Sequence, residues 1–308
     1  MRVLIVKTSS MGDLIHTLPA LTDAARAIPG IQFDWVAERG FADIPHWHPS
    51  VDQVIVSQLR QWKKSPIASW FSRDYMAFRA ALSSTEYDAV IDAQGLLKSA
   101  WLVARLAHGE VHGYDRHSAR EGLAAFTYNH RYPVPTDMHA VERTRSLFAQ
   151  ALGYPLDGIA DAGLQAAVDV SRDVWLVHGT SRADKEWPEA HWRQVAQRLS
   201  SDGFAVQLPA GSDVEAARAQ RIASGTDATI WRDRSLTEIK QSMAQAHAVV
   251  AVDTGLAHLA DALQRPLVML FGPTDPGLVG PKAASSTLLQ APSMDQITPE
   301  QVLEALND

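Results

Sequence analysis

A single carboxylate stands in a short polar turn near the start of the sequence. The turn, residues 8–13 (TSSMGD), follows an apolar run. It has one glycine and no Gly-Lys-Ser ending, so it matches neither the dinucleotide-binding fingerprint nor the phosphate-binding P-loop. Asp13 could be a helix N-cap, a position that carboxylates favour. It could equally be a general base, with Gly12 allowing a ligand close to the backbone.

A second polar turn, in the other half of the sequence, combines hydroxyl groups with a lysine. It spans residues 178–188 (HGTSRADKEWP) and also follows an apolar run. The hydroxyls of Thr180 and Ser181 can donate hydrogen bonds to phosphate oxygens, and Lys185 can supply positive charge. An ordinary loop with its lysine in solvent has the same appearance, so both interpretations stay open.

A third turn, residues 252–258 (VDTGLAH), leads from a predicted strand into a predicted helix. Asp253, Thr254 and Gly255 precede the helix, whose first backbone N–H groups could bind an anion. His258 follows one turn later and could contact the same anion or be a core histidine. The Asp-Thr-Gly triplet occurs once, whereas a single-chain aspartic protease needs two such carboxylates, so we exclude that class.

Glu215 is a fourth candidate and follows the predicted strand 204–208. Its carboxylate could accept hydrogen bonds from ribose hydroxyls, as acidic residues do in nucleotide-binding folds, or it could simply favour the first turn of a helix. The second half thus has three turns suited to a nucleotide diphosphate. The first half has Asp13 and several basic residues, which predicts a base and a site for an anionic acceptor.

Composition bounds the class of protein. The chain has 308 residues, 46% of them apolar and none of them cysteine, which predicts about two globular domains and excludes disulfides, thiolate zinc sites and a cysteine nucleophile. Its net charge, 28 − 35 = −7, argues against nucleic-acid binding. Residues 1–154 carry 16 basic and 15 acidic residues, and residues 155–308 carry 12 and 20. With neither a membrane-spanning run nor a signal peptide, the sequence predicts a cytoplasmic protein.

Short β-branched runs alternate with amphipathic helical ones along the sequence. The candidate turns directly follow predicted strands, so the strands determine where the turns lie. The alternation predicts an α/β protein with doubly wound parallel sheets, in which ligands bind outside the carboxyl ends of the strands. A weakly periodic linker over residues 156–170 gives domains 1–155 and 156–308, with a C-terminal helix that could pack back on the first. The predicted strands span residues 3–7, 33–37, 53–56, 89–92, 111–113, 174–178, 204–208, 228–231, 249–252 and 267–271. The predicted helices span residues 17–27, 75–83, 99–108, 140–152, 189–200, 214–223, 236–246, 257–263 and 298–306.

Seven motifs together resemble those of the lipopolysaccharide heptosyltransferases of glycosyltransferase family 9, and they run in order along nearly the whole chain. They are MRVLIVKTSSMGD at 1–13, HTLPALTDA at 16–24, YDAVIDAQGL at 87–96, HAVERTR at 139–145, DKEWP at 184–188, VDTGLAH at 252–258 and FGPTDPG at 271–277. The resemblance is strongest to the type that adds the first heptose to Kdo–lipid A.

The resemblance implies a GT-B fold, with two Rossmann-like domains facing each other across a cleft. It implies ADP-L-glycero-β-D-manno-heptose as donor, the Kdo of Kdo–lipid A as acceptor, inversion at the anomeric carbon, and neither a cofactor nor an obligatory metal. By position, Asp13 would be the general base. The donor-binding residues would be Thr180, Ser181, Lys185, Glu215, Asp253, Thr254, Gly255 and His258. The acceptor-binding residues would be Ser10, Gly12, Arg60, Lys63, Lys64, Arg120, His139 and Arg143.

A lipid acceptor implies peripheral contact with the cytoplasmic face of the inner membrane. Trp62, Trp70 and Phe71, beside Lys63 and Lys64, could enter the interface, or could pack on their own domain. Three alternatives to the first-heptose enzyme remain: a heptosyltransferase II type that adds a later core heptose, a sugar-nucleotide epimerase, and a noncatalytic nucleotide-binding module. An epimerase would need acid and base groups around the sugar and no basic acceptor patch.

Overall fold

The computed structural model describes residues 1–62, 64, 71–164 and 169–307. The chain divides into two units, Met1–Gly163 and Leu164–Asp308. This boundary lies later in the chain than the expected one at 155/156. The reason is that the first residues of the predicted linker are hydrogen-bonded to the first unit. The Arg145 guanidinium donates to the backbone oxygens of Asp157 (2.9 Å) and Gly158 (3.1 Å). Arg26 likewise donates to the Asp161 carboxylate at 2.6 Å.

The first unit is a parallel sheet with helices connecting its strands. Its strands are β1 (Arg2–Val6), β2 (Gln32–Glu38), β3 (Val51–Ser57), β4 (Ala89–Asp92), β5 (Val111–Tyr114) and β6 (His130–Tyr132). Its helices are α1 (Met11–Ile15), α2 (Leu18–Ala27), α3 (Leu59–Trp62), α4 (Arg73–Ser83), α5 (Leu97–Leu102) and α6 (Ala140–Leu152). Over the described residues the strand order is β3-β2-β1-β4-β5-β6. The order reverses between β1 and β4, which is the switch point where doubly wound sheets bind ligands.

The second unit repeats this arrangement. Its strands are β7 (Asp173–Val177), β8 (Ala205–Ala210), β9 (Thr229–Arg232), β10 (Ala248–Val252), β11 (Leu267–Phe271) and β12 (Ser286–Gln290). Its helices are α7 (Glu189–Ser201), α8 (Asp213–Ile222), α9 (Leu236–Met243), α10 (Gly255–Ala262), α11 (Pro276–Val279) and α12 (Pro299–Ala305). Within the described ranges the sheet order is β12-β11-β10-β7-β8-β9, so the switch point lies between β7 and β10. The predicted pair of doubly wound α/β units is confirmed.

The central strands form because both faces of each sheet are covered by helices, which favours continuous apolar runs. Strands β1 and β10 are buried almost completely. The edge strands β6 and β12 were not predicted, since they are short or largely exposed and carry little apolar signal. The C-terminal helix α12, which the sequence analysis allowed to pack back on the first domain, packs within the second unit. There Gln194 of α7 donates to Glu300 at 2.8 Å, and Val302 is buried in the core.

Candidate active site

The turn after β1 directs the Asp13 carboxylate back toward the start of its own helix. Ser10 precedes α1, and both its backbone N–H (2.7 Å) and its hydroxyl (2.8 Å) donate to Asp13 Oδ2. Asp13 Oδ1 lies 3.6 Å from Lys7 Nζ, and the Asp13 side chain keeps 35% of its surface exposed. Asp13 is therefore in the first turn of the helix rather than at its N-cap, and one of its oxygens is not used by the turn.

The surroundings of Asp13 keep its carboxylate charged. Burial raises the pKa of Asp13, but Lys7, the two Ser10 hydrogen bonds and the more distant Arg120 together hold that pKa below its ordinary value. A carboxylate of this kind is ionised at neutral pH and can accept a proton from a hydroxyl that becomes acidic during a reaction.

Neighbouring strand β4 supports this turn through residues that sequence reasoning did not assign to the site. The Gln94 carboxamide oxygen accepts the backbone N–H groups of Thr8 (2.9 Å) and Ser9 (3.2 Å). The backbone oxygen of Ala93 accepts from Lys7 Nζ at 3.0 Å. The segment after β4 thus fixes both the backbone before Asp13 and the cation beside it. The pairing of β1 with β4 brings these two segments together. Because the segments are far apart in the sequence, their contact cannot be predicted from local sequence patterns.

Asp92, at the end of β4, in turn fixes Gln94. Its buried carboxylate accepts the backbone N–H groups of Gln94 (2.9 Å) and Gly95 (3.2 Å) and the hydroxyls of Ser99 (3.0 Å) and Tyr128 (2.9 Å). Burial raises the pKa of Asp92, and these four donors only partly offset that effect. With its oxygens occupied, Asp92 has a structural role in holding the turn.

In the second unit, Lys185, Asp253 and His258 form a compact cluster at the switch point between β7 and β10. Lys185 Nζ lies 2.5 Å from Asp253 Oδ2, and His258 Nε2 lies 3.6 Å from Asp253 Oδ1. Burial raises the pKa of Asp253, but His258 and Lys185 lower that pKa by more than burial raises it. The net pKa lies below the ordinary value, so this carboxylate stays ionised. The Lys185 ammonium has three donors, and Asp253 occupies one of them.

The other predicted donor residues lie around this cluster or, for Glu215, in helix α8, which follows the neighbouring strand β8. The Thr180 hydroxyl donates to the Asp253 backbone oxygen at 3.4 Å, and Thr254 precedes α10, which begins at Gly255. Ser181 is exposed beside Thr180. Glu215 accepts the Gly211 N–H at 2.7 Å, and a Cβ on Gly179 would lie 2.8 Å from Glu215 Oε1. Glycine at 179 therefore lets the Glu215 carboxylate lie against the backbone that follows β7.

The predicted acceptor residues occupy several loops of the first unit. Arg120 contributes to the electrostatics of Asp13, and Gly12 is buried within α1. Arg143 donates to the Ser118 backbone oxygen at 2.7 Å and lies over the Tyr114 ring. His139 caps α6 and contacts His16, with 5.8 Å between ring centroids.

The basic segment after β3 is only partly described. The Arg60 guanidinium lies over the Phe41 ring, Lys64 is exposed, and Lys63 lies outside the described residues. Trp62 is 8% exposed and packs against Tyr75 and Phe78, with ring centroids 5.2 Å and 5.1 Å away. Of the two interpretations offered for Trp62, the structure therefore supports packing on its own domain, because its ring belongs to the core. Phe71 is exposed, and Trp70 lies outside the described residues.

In the part of the chain that the structure describes, no three His, Asp or Glu side chains are grouped as a metal site would require. The chemistry open to the described residues is that of an ionised carboxylate in one unit and of an anion-binding lysine with polar turns in the other.

Comparison with known proteins identifies the family. Residues 75–304 match glycosyltransferase family 9 (heptosyltransferase). Lipopolysaccharide heptosyltransferase 1 of Pseudomonas aeruginosa is 52% identical over 287 residues, which cover 91% of this chain and 81% of that protein. The structure of E. coli heptosyltransferase WaaC with ADP is 47% identical, covers 100% of this chain and 99% of that one, and gives a TM-score of 0.93. The structure of E. coli WaaC with ADP-2-deoxy-2-fluoro heptose is 46% identical over the same shares, with a TM-score of 0.90. The chain is therefore a glycosyltransferase that belongs to family 9, the heptosyltransferases, and it groups with lipopolysaccharide heptosyltransferase 1.

Proposed function

We propose that this enzyme transfers L-glycero-D-manno-heptose from ADP-heptose to the Kdo of Kdo–lipid A, with inversion at the anomeric carbon, in lipopolysaccharide inner-core synthesis. The ADP and the fluorinated ADP-heptose in the structures of its E. coli relative support the donor. The type 1 name of its relatives supports addition of the first heptose over addition of a later one.

Asp13 is the observation on which the mechanism depends. It is a partly exposed carboxylate held in its charged form at the switch point of the first sheet. In a single displacement, the acceptor hydroxyl attacks the anomeric carbon while ADP leaves from the opposite face. Asp13 accepts the hydroxyl proton as the new glycosidic bond forms.

The second unit supplies the complementary part, which is stabilisation of the departing diphosphate. Negative charge grows on the ADP oxygens as the sugar leaves, so preorganised donors lower the barrier. Lys185, oriented by Asp253, would contact the diphosphate, together with the Thr180 and Ser181 hydroxyls and the first N–H groups of α10. Glu215 would accept hydrogen bonds from the ribose hydroxyls. The first unit would then hold the acceptor through Ser10, Gly12, Arg60, Lys63, Lys64, Arg120, His139 and Arg143.

Transfer is favoured over hydrolysis by the states of the two carboxylates near the first switch point. A glycosidase uses two carboxyl groups on either side of one bond. Asp92 ends the neighbouring strand β4 but is buried, with its oxygens bound by four donors. Asp13 therefore acts as a base without a second carboxyl group from this strand.

The proposed location is the cytoplasmic face of the inner membrane, with peripheral contact. The acceptor is a lipid, so the enzyme must reach the bilayer surface where that lipid lies. Among the described helices, none has the length and apolar character that crossing a bilayer requires. Basic residues of the first unit would face the phosphates of the acceptor and of anionic headgroups.

The test is incubation of the purified protein with ADP-heptose and Kdo–lipid A, followed by mass spectrometry. We expect a heptose-sized mass increase on the acceptor with release of ADP, and the opposite anomeric configuration in the product by NMR. An acceptor that already carries the first heptose should not react. Conversion of ADP-heptose without an acceptor would favour an epimerase, and ADP binding without turnover would favour a noncatalytic module.

A further inference from the structure

Three large apolar side chains of the first unit point into solvent from two elements that contact each other. Trp101 of α5 is 57% exposed, and Leu123 and Phe126, in the 3-10 helix Gly122–Thr127, are 63% and 66% exposed. The elements are joined by two hydrogen bonds of Glu121. Its carboxylate accepts the Leu97 N–H at 2.7 Å, and its own N–H donates to the Gly95 oxygen at 2.9 Å.

The same two elements bury small residues and expose large ones. Ala100, Ala124 and Ala125 point into the hydrophobic core, whereas the Trp, Leu and Phe beside them do not. Burial of a large apolar side chain is worth about 1.5–3 kcal/mol, so a chain selected only for stability would place them the other way round. Large apolar side chains exposed on two touching elements indicate an interaction surface.

The charges around these side chains identify the kind of partner. Lys98, Arg105 and Arg116 are exposed, and within the described residues none of them forms an ion pair with a carboxylate. The Arg105 guanidinium lies 5.4 Å from the centre of the Trp101 ring. Two carboxylates of the same segments are directed to backbone groups instead of to these cations: Glu121 accepts the Leu97 N–H, and Asp115 accepts those of His117 and Ser118. The surface therefore combines aromatic and aliphatic groups with three cations that form no direct ion pair within the described residues.

The position of this surface relates it to Asp13. The segment 119–122 packs against Gly95, next to Gln94, which holds the Asp13 turn, and Arg120 lowers the pKa of Asp13. The surface thus lies at the same carboxyl edge of the sheet as the proposed base. A Kdo sugar attached directly to a lipid keeps its reactive hydroxyl close to the bilayer, so the base must also come close to the bilayer.

We propose that the Trp101 surface, defined as Trp101, Leu123 and Phe126 with Lys98, Arg105 and Arg116, docks on the anionic face of a phospholipid bilayer. The apolar side chains enter the interfacial region, and the three cations contact headgroup phosphates, which is how amphipathic surfaces bind anionic membranes. This inference deepens the proposed function by naming the residues through which the enzyme reaches its lipid acceptor. It names a surface other than the one around Trp62, Trp70 and Phe71 considered in the sequence analysis, of which Trp62 is buried in the core.

The experiment is co-sedimentation of the full chain with vesicles that contain phosphatidylglycerol, compared with vesicles of phosphatidylcholine alone. The wild type should bind the anionic vesicles more tightly, and less so at high salt. The triple variant Trp101→Ser/Leu123→Ser/Phe126→Ser should bind them about tenfold or more weakly. Its matched control, Ile159→Ser/Val170→Ser/Val214→Ser, removes three other exposed apolar side chains and should bind like the wild type. Unchanged melting temperatures would show that both variants fold.

Turnover of two acceptors separates this inference from the proposed function. With a deacylated, soluble acceptor, both triple variants should react at the wild-type rate. With the acylated acceptor in vesicles, only the Trp101-surface variant should be slow. Wild-type vesicle binding by that variant, or failure of the wild type to bind anionic vesicles, would overturn the inference even if the soluble acceptor reacts. A change in oligomeric state on mutation would instead assign the surface to contact between copies and would also overturn it.

Discussion

The two sheets share one strand order, and each has a carboxylate at its switch point, yet the two carboxylates have different surroundings. Asp253 is buried and lies against both Lys185 and His258. Asp13 is about one-third exposed, and its ion-pair partner Lys7 lies 3.6 Å away, with Arg120 contributing a weaker effect on its pKa. Both are ionised, but Asp253 is already engaged by two side chains, whereas Asp13 retains an oxygen that a substrate can reach. The same topology therefore supports a positioning carboxylate in one unit and a base in the other.

Asp92 extends the comparison, because β4 occupies the place in the first sheet that β10 occupies in the second. Asp253 follows β10 and lies against Lys185 and His258, which hold its pKa below the ordinary value. Asp92 ends β4 and is surrounded by neutral donors, so burial leaves its pKa raised. Topology determines where a strand-end carboxylate lies, and the side chains around it determine what it can do.

Replacement of the two ionised carboxylates by amides should give the sharpest contrast. Asp13→Asn should lower kcat by about 10²–10⁴, the usual contribution of a general base, without changing ADP affinity. Asp253→Asn should instead weaken ADP binding, because Lys185 loses the group that orients it. Steady-state kinetics and calorimetric titration of ADP measure both effects. A near-normal kcat for Asp13→Asn would remove Asp13 from the mechanism.

Removal of the charge at Lys185 tests the anion-binding role of the second unit. Lys185→Met should lower ADP affinity by about 10- to 100-fold, since a charge-assisted hydrogen bond is worth about 1.5–3 kcal/mol. Lys240→Met, in α9 of the same unit, serves as the matched control and should bind ADP normally. Equal affinity of the two variants for ADP in calorimetry would contradict the assignment of Lys185.

Gln94 should affect turnover through the backbone of the Asp13 turn. Gln94→Leu removes the oxygen that accepts the Thr8 and Ser9 N–H groups, so Asp13 loses its fixed position, and we expect kcat to fall about tenfold. The KM for ADP-heptose should not change. Gln94→Glu keeps an acceptor oxygen and should recover part of kcat, and Gln53→Leu, at an exposed position of β3, controls for the substitution itself. If Gln94→Leu and Gln94→Glu lose kcat equally, the proposed support of the turn is incorrect.

The sequence was sufficient to predict the two doubly wound units and the turns that follow their strands. Periodicity and strand-end motifs are local signals, so Asp13 and Lys185 could be found from them. The supports of Asp13 could not, because Gln94 is distant in sequence and reaches Thr8 only through the pairing of β1 with β4. For a related reason, the sequence alone leaves two interpretations open for Trp62. Beside two lysines it looks interfacial, but the packing of α3 against Tyr75 and Phe78 buries it.

Replacement of Lys7 should change the pH dependence of kcat more than it changes kcat at neutral pH. The pKa of Asp13 is depressed, so the base form is present above that pKa and is lost only as the pH falls through it. Lys7→Met removes the nearest cation, which raises the pKa of Asp13 and moves the acid limb of the kcat profile to higher pH. Lys7→Arg keeps the charge and should keep the limb near its wild-type position. ADP affinity should be equal in all three proteins, because Lys7 is not part of the Lys185 cluster. An acid limb that stays in place in Lys7→Met would mean that the Ser10 hydrogen bonds and Arg120 hold down the pKa of the base without Lys7, and the contrast between the two units would then not rest on an adjacent lysine.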